Sequence, residues 1–447
     1  MGFLRLASGC ALALLAGCTT YKAAPLSLAP PLASSLAALD RTVPGGGTID
    51  ISLPLSPQDA ARLALLNDPA LAAARAAHGV AAAQLFAAGL LPDPIVNGAY
   101  QALISGPAVA PAISGAIAED LSALVTYRAR TAAARARVGQ TDADILWQDW
   151  QVASLAEMLA IALAADRATL AALDAERQAL RRVVTAAQHA VGTGNLAADQ
   201  ASAALANLAA ADAAHNTAEQ QHDTDQAALD ALLGLTPDVN VPVAPPDFAP
   251  ISTAAVTALV RTLADRRPDL IALRFGYHAA NADLRAAILG QFPGISLGVS
   301  GGSDTSQVVS VGPSFSLSLP IFNRNRGTVR VATATREQLR AQFTASLAQA
   351  QGQAEAALVA LGTLAAERGA AAAALASAAH DAATARQAFD AGAIDIRTYA
   401  DLLSAAESRR VELIAIDQKI QTGRVALASL LGFGLPEVQA GTFQRKS

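Results

Sequence analysis

The sequence is poor in charged residues, in aromatic residues and in cysteine. Of its 447 residues, 15% are charged and 4% are aromatic, and only two are cysteines. Two cysteines cannot build a disulfide scaffold or a multi-cysteine zinc site. A net charge of -5 disfavours a nucleic-acid-binding protein, which carries a basic patch. Much of the 53% apolar fraction is alanine, which favours helices and buries little area, so we do not expect a large aromatic core.

Motifs of common enzymes are also expected to be absent. Lysine is rare, and no Gly-x-x-x-x-Gly-Lys-Ser/Thr loop for nucleotide phosphates occurs. No two histidines have the His-x-x-x-His spacing of a helical metal site, and we expect no Gly-x-Ser-x-Gly nucleophile elbow. We therefore expect neither an enzyme nor a cofactor.

Residues 1–17 have the pattern of a signal peptide, with Arg5 before a short apolar stretch that ends in small residues. Leu15-Ala16-Gly17-Cys18 resembles the bacterial lipobox, in which the cysteine becomes the lipidated N-terminus. The alternative is an ordinary cleavage site that happens to precede a cysteine. Because Thr19 follows Cys18 in place of an aspartate, we expect an acylated Cys18 to anchor the chain in the outer membrane.

Beyond the N-terminus, the sequence repeats itself once. Asp68-Pro69-Ala70-Leu71 corresponds to Arg267-Pro268-Asp269-Leu270, and Gly194 corresponds to Gly392. Such self-similarity predicts two tandem copies of one structural unit. We expect a signal peptide (1–17), a lipid-anchored irregular tether (18–56), a first repeat (57–236), a connector (237–255), a second repeat (256–435) and a C-terminal tail (436–447).

Long helices are predicted in both repeats. No proline occurs between Pro111 and Pro237 or between Pro320 and Pro436, so both stretches can be helical almost throughout. We expect long helices over about 121–190 and 324–390, each on the order of 100 Å long. Glycine turns follow them, and shorter helices return. Apolar residues at seven-residue spacing predict coiled-coil packing.

Strands are predicted between the short first helix and the long helix of each repeat, over about 94–103 and 109–120 and over about 294–302 and 308–319. Ser314 to Leu319 alternates strictly between polar and apolar residues, as in a strand with one apolar face. Four strands cannot close a barrel, and open edges are not tolerated in lipid. The smallest closed barrels are formed by two chains with eight strands or by three chains with twelve, and a channel favours three, because eight strands enclose little more than side chains. We expect no membrane-spanning helix.

Together, these features resemble the TolC-type outer-membrane efflux factors over nearly all of residues 18–435. Leu15-Ala16-Gly17-Cys18, the duplicated units and Leu319-Pro320-Ile321-Phe322-Asn323 carry the resemblance. It implies a mostly α-helical homotrimer, with a twelve-stranded β-barrel continuous with a periplasmic α-helical coiled-coil barrel. It also implies a periplasmic adaptor and an inner-membrane transporter as partners, the latter expected to be proton-driven. Asn323 to Gly327 resembles the heavy-metal cation branch.

Three groups of candidate site residues follow. The expected adaptor contacts are the two turns, at Gly192, Gly194, Leu196, Gly392 and Ile394. The candidate gate consists of charged residues near the second turn: Arg386, Asp390, Asp395, Arg397 and Asp401. Weak candidates for binding a divalent cation form a polar stripe on a predicted coiled-coil seam, although the simpler interpretation is a water-facing surface: Asp212, His215, Glu219 and His222.

The expected function is a passive exit duct of a tripartite efflux pump, lipid-anchored in the outer membrane and extending into the periplasm. Metal cations are the expected cargo. A duct for drugs or for type I secretion of the same fold is the alternative. A protein of another class, a periplasmic coiled-coil scaffold without a pore, remains open at this point.

Overall fold

A computed structural model describes residues 21–106, 110–237, 239–250 and 252–433. Within these residues, helices and strands follow the same order in both halves of the chain, except that the second half begins with two short helices where the first half begins with one. The helices are α1 (Pro57–Asn67), α2 (Pro69–Ala88), α3 (Ser122–Gly192), α4 (Ala198–Leu232), α5 (Thr253–Val260), α6 (Leu263–Arg266), α7 (Pro268–Leu289), α8 (Arg326–Asp390) and α9 (Ile396–Leu430). The strands are β1 (Ile95–Gln101), β2 (Ala112–Asp120), β3 (Gly294–Ser303) and β4 (Val309–Ser318).

The two long helices dominate the architecture. α3 has 71 residues and α8 has 65, which correspond to roughly 107 and 98 Å at 1.5 Å per residue. Each turns back into a return helix of 35 residues. The two helical hairpins pack against each other near their turns, around a core that includes Leu180, Val184, Ala204, Ile396 and Tyr399.

The four strands form one antiparallel sheet in the order β1-β2-β3-β4. The central β2–β3 pairing joins the two repeats, since Ile117 lies opposite Val299 and Ile113 opposite Ser303. β1 and β4 are the edges of the sheet within the chain. The helices α2, α3, α7 and α8 continue from the strands as a layer in the same order.

The start of each repeat is fixed by capping. Asp68 accepts a hydrogen bond from the Leu71 backbone N–H at 2.7 Å and Pro69 occupies the first turn of α2, an arrangement that satisfies an otherwise unpaired helical N–H. At the equivalent position, Arg267 bonds the carboxylate of Asp269 and lies over the Trp147 ring at 4.9 Å. The two repeats therefore begin alike in backbone and differently in side chains.

The segment before the first repeat is more ordered than the loose tether that we expected. Leu39, Ile49 and Leu55 are buried in one core with α1, α3 and the end of α4. Asn67 and Asp40 exchange hydrogen bonds of 2.8 Å. Apolar residues in an otherwise irregular segment explain this packing, because each is removed from water against the helices.

One long helix departs from the expectation that no helix could span a membrane. α8 contains a window with a mean hydropathy of 1.4, which makes it apolar enough to cross a membrane by length and composition alone. The same helix packs along α9.

Candidate functional site

The sheet has one apolar and one polar face. Directly paired residues point to the same side, so the rows Val96–Ile117–Val299 and Leu297–Phe315 share one face. The large side chains on this face are exposed, including Phe315 at 80% and Val311 at 79%. An exposed apolar face of this extent marks a surface that another apolar phase covers.

Apart from Ile95 at the start of β1, the opposite face of the sheet is lined mainly by small and uncharged polar residues. Its paired rows include Asn97–Ala116–Ser300, Ser114–Gly302–Ser310 and Ser296–Ser316. Among the strand residues, Asp120 is the charged side chain on this face, at the end nearest the helices. The wall formed by this face therefore offers hydroxyl and amide groups, and no rows of charge.

The polar face continues onto one side of the helical layer. A pocket of about 460 Å³ at the junction includes Asp120, Ser122, Gly294 and Ser318 together with Thr126 and Arg130. Thr126 and Arg130 also line the adjoining groove between α3, α7 and α8, with Asp283, Ala287, Thr328 and Thr335. One continuous surface thus runs from the strands down the helices.

The Asn323-to-Gly327 segment determines how α8 leaves the sheet. Arg324 and Asn325 both adopt left-handed conformations, with φ of 48° and 52°, which cost roughly 1 kcal/mol or more each in non-glycine residues. The Asn325 side chain donates a hydrogen bond of 2.8 Å to the carbonyl of Ala287, near the end of α7. The segment that resembles the metal branch therefore has a structural role in joining α7 to α8.

The two turns at the ends of the long helices have the same geometry. Gly194 has φ of 75° and Gly392 of 72°, which favour glycine. In the first turn, the N–H of Asn195 donates to Ala190 and that of Gly194 to Val191; in the second turn, Ala393 and Gly392 make the equivalent bonds. This is a Schellman motif, which satisfies the last helical carbonyls.

The remaining turn residues differ in position. Gly192 is the last residue of α3, and its φ is not in the left-handed region. Leu196 and Ile394 are partly buried in the core between the hairpins, so their apolar side chains hold the turns together. The exposed surface of the second turn is formed by Ala391, Gly392 and Ala393.

The candidate gate residues make mostly local contacts. Asp395 caps α9 by accepting a hydrogen bond of 2.8 Å from the Thr398 N–H, and hydrogen bonding with Thr398 holds the pKa of Asp395 below its usual range. Asp401 accepts a bond of 2.8 Å from Asn207 of α4, and Arg397 lies 3.8 Å from Asp401. Arg386 and Asp390 are exposed on α8.

Buried carboxylates between the helices were not found from the sequence. Glu176 of α3 is 7% exposed, and burial raises its pKa, as does the nearby Glu407 of α9. Burial likewise raises the pKa of Glu407, against the effect of Arg410. Asp166 faces Asp225 of α4, and burial raises its pKa to about 6. Acidic residues in alanine-rich helices gave no signal of these contacts.

The polar stripe on α4 faces α3. Asp212 accepts a bond of 2.7 Å from Arg177, which lowers its pKa. His215 lies 3.2 Å from Asp174 and 4.0 Å from Glu219, whereas His222 stands a further seven residues along α4. Within the described residues, no group of three or more side chains could hold a metal ion. The stripe therefore makes ion pairs between two helices and no cluster of ligands.

Two further predictions concern single motifs. Cys18 lies outside the described residues, so its lipidation remains a prediction. The Gly-x-Ser-x-Gly spacing does occur in the sequence, at Gly294 to Gly298 and again at Gly298 to Gly302. Both lie inside β3, whereas a nucleophile elbow requires a sharp turn from a strand into a helix.

Known proteins share this fold. Residues 259–433 match the family described as outer membrane efflux protein. A membrane protein from Pseudomonas aeruginosa is 22% identical, with a TM-score of 0.73 over 94% of this chain and 98% of that chain. The Campylobacter jejuni CmeC outer membrane channel is 17% identical, with a TM-score of 0.72 over 94% and 95%. The outer membrane protein VceC from Vibrio cholerae is 19% identical, with a TM-score of 0.70 over 85% and 97%.

No curated protein sequence matches the chain. The two-faced sheet and the long helical hairpins define the class of outer-membrane channels to which these structures belong. Residues 259–433, in the second repeat, are similar to the outer membrane efflux proteins, and the whole chain has the fold of the solved channels.

Proposed function

We propose that the chain is the outer-membrane exit duct of a tripartite efflux pump and acts as a homotrimer. In this proposal, three four-stranded sheets close into a twelve-stranded barrel, and the helical hairpins continue it into the periplasm. A periplasmic adaptor connects the duct to an inner-membrane transporter that supplies the energy. The duct itself is passive and performs no catalysis.

The observation that carries this proposal is the two-faced sheet with its free edges. The exposed apolar face matches a lipid-facing surface, and the polar face matches the wall of a water-filled channel. β1 and β4 have unpaired backbone groups at the edges, which lipid does not tolerate. Copies of the chain supply the missing partners by pairing β4 of one with β1 of the next. A coiled-coil scaffold without a pore explains neither feature.

Cross-linking across the proposed seam tests the assembly. A disulfide between Gln101→Cys in β1 and Ser310→Cys in β4 would join different chains, because both positions lie on the polar face at the loop end of opposite sheet edges. We expect a ladder that ends at three chains and ion conductance in planar bilayers. A ladder that ends at two, or purified protein that does not conduct, contradicts the proposal.

The exposed surface of the turns is the proposed adaptor contact. In a trimer, six similar turns lie at the end of the helical barrel farthest from the strands, and their small residues allow another helix to approach closely. Ala393→Trp enlarges this surface at a residue outside the left-handed region, so it is expected to abolish export while leaving the trimer intact. Ala373→Trp, on an exposed position of α8 about 30 Å from the turn, is the matched control. Equal export by both variants contradicts the contact.

The proposed gate involves the carboxylates at the second turn, where a trimer places each acid three times around one axis. Because Asp395 is also a helix cap, Asp395→Asn is the informative variant: asparagine caps as well as aspartate but carries no charge. If the acids form a gate, Asp395→Asn with Asp401→Asn raises conductance or lowers cation preference. If conductance and selectivity are unchanged, Asp395 acts only as a helix cap, and Asp401 serves only to accept the bond from Asn207.

Two finer proposals concern the anchor and the cargo. Acylated Cys18 is proposed to supplement the barrel as an anchor, and mass spectrometry of the mature chain tests it; a chain that retains residues 1–17 contradicts it. Metal cations remain a prediction from the Asn323-to-Gly327 segment alone. Export assays with metal ions and with uncharged drugs distinguish the two cargo classes.

A further inference from the structure

We propose that four outward-facing arginines, Arg128, Arg285, Arg326 and Arg330, form a belt that binds the phosphate groups of anionic phospholipids in the periplasmic leaflet of the outer membrane. This inference rests on the proposed function, because it takes the apolar face of the sheet to be in lipid.

The direction of these side chains follows from the groove on the other side of the layer. The groove is lined by Thr126 and Arg130 of α3, Asp283 and Ala287 of α7, and Thr328 and Thr335 of α8. Successive helical residues are rotated by about 100°. Arg285 and Arg330 lie about 100° from the neighbouring groove residues Ala286 and Val331. Measured from the lining residues named above, the four arginines, Arg128, Arg285, Arg326 and Arg330, lie about 140–180° away. They point away from the channel wall, on the side of the apolar strand face.

The depth of the belt matches lipid headgroups. Arg285 precedes the end of α7 by four residues, and Arg330 follows the start of α8 by four, which places both roughly 6 Å from the junction. Arg128 is six residues into α3, or roughly 9 Å. Just across the junction lie the exposed Ile295, Leu297 and Leu317 of the apolar face. Headgroups occupy a layer of several ångströms beside the hydrocarbon core.

The four arginines have charge available for a partner. All four are exposed, and none of them makes an ion pair within the described residues, whereas Arg137 on the groove side pairs with Asp283 at 2.5 Å. Arg326 donates only to the backbone carbonyls of Phe322 and Asn323. Glu119 is the acid on the apolar strand face. Guanidinium groups suit phosphate because they donate parallel hydrogen bonds to two oxygens.

Arginines lower on the same side provide a matched control. Arg135 is 13 residues into α3 and Arg340 is 14 residues into α8, so both lie roughly 20 Å from the junction. Their helical rotation places them on the outward side as well. They carry the same charge but are beyond the reach of headgroups, and Arg340 differs from the belt arginines in lying 4.0 Å from Glu337.

The experiment titrates phosphatidylglycerol onto the full-length trimer in neutral detergent, with inorganic phosphate in a parallel arm. We expect saturable binding of the lipid that Arg285→Gln with Arg330→Gln weakens roughly tenfold or more. Arg135→Gln with Arg340→Gln is expected to change the affinity less than twofold. Both double variants are first checked for trimer formation, and their conductance is measured in planar bilayers.

Each outcome decides a separate point. Equal weakening by the two double variants, or no preference of the wild type for phosphatidylglycerol over phosphatidylcholine, overturns the belt. Binding of inorganic phosphate with the affinity of the lipid also overturns it, because the partner is then not a membrane surface. If the variants conduct like the wild type but lipid binding is unaffected, only this inference fails. A wild type that does not conduct refutes the proposed function instead.

Discussion

The two repeats share one backbone but fix it with different side chains. The turn at Gly194 leads into α4 through Ala197, which offers no side-chain cap, whereas the turn at Gly392 leads into α9 through the capping Asp395. Likewise, Asp68 caps α2, while the equivalent Arg267 reaches across to Trp147 and the end of α9. The two repeats thus share their backbone geometry, whereas the side-chain contacts are specific to each copy.

The largest difference in stability between equivalent substitutions is expected at the start of the two repeats. Arg267 is 6% exposed and pairs with Asp269, so Arg267→Ala leaves a carboxylate beside an apolar site without its partner. We expect a loss of about 3 kcal/mol in the free energy of unfolding. Asp68→Ala removes one cap and should cost about 1 kcal/mol. Thermal dissociation of the purified trimer measures both, and equal effects would contradict the asymmetry.

The stability of the protein should depend on pH because of a buried acid in the first repeat. Burial raises the pKa of Glu157 in α3 to about 7 from 4.5, so the folded chain binds this proton more tightly than the unfolded chain. Its contribution to stability is complete below about pH 4.5 and is lost as the pH rises through about 7. Glu157→Gln should therefore stabilise the trimer at pH 8, by about 1–2 kcal/mol, and leave it unchanged at pH 5.

The matched control for this prediction is Glu355→Gln. Glu355 occupies the equivalent position of α8 and is exposed. Melting curves from pH 5 to pH 8 should be indistinguishable from those of the wild type for this variant. A pH slope that persists in Glu157→Gln would assign the effect to another buried acid, such as Asp166.

Equivalent substitutions in the two turns should change stability equally at positions where the backbone geometry is the same. Gly194→Ala and Gly392→Ala force a side chain into the left-handed region and should each cost about 1 kcal/mol. Gly192→Ala should be neutral or slightly stabilising, because Gly192 is helical and alanine favours helix. Circular dichroism during heating tests this set. A cost at Gly192 similar to that at Gly194 would contradict the assignment of the turn residues.

The smallest effect on stability is expected from changing the capping residues of the two return helices. Ala197→Asp introduces at the first turn the residue that caps α9 at the second, and should raise the dissociation temperature by roughly a degree or two. Asp395→Ala should lower it by a similar amount, while Asp395→Asn should not. A decrease with Ala197→Asp would show that the first turn has no room for a capping side chain.

The sequence was sufficient for the elements whose signals are local. Proline-free stretches predicted α3 and α8, and the alternation from Ser314 to Leu319 predicted β4, because both patterns depend on neighbours along the chain. Contacts between distant segments were not predictable in this way. The burial of Leu39 and Leu55 and the meeting of Glu176 with Glu407 depend on which helix faces which, and alanine-rich faces of similar composition do not distinguish the partners.

For the candidate site, the sequence located the glycine turns but not the functions of the residues around them. Gly194 and Gly392 were found because left-handed turns favour one residue type. Asp395 was predicted as a gate from its charge and its position near the second turn, and only its distance to the Thr398 N–H identifies it as a cap. The outward direction of Arg285 and Arg330 required the groove on the opposite side of the layer as a reference.

The free edges of the sheet have a consequence for how the protein matures. A newly exported chain has seven residues of β1 and ten of β4 without an outer neighbour, and such edges recruit strands from any available chain. In the proposed trimer, the edges are paired by copies of the same sequence, and only a copy with the complementary strand register completes the ring. Maturation should therefore depend on chain concentration, and a single defective copy should prevent the assembly of the ring that it joins.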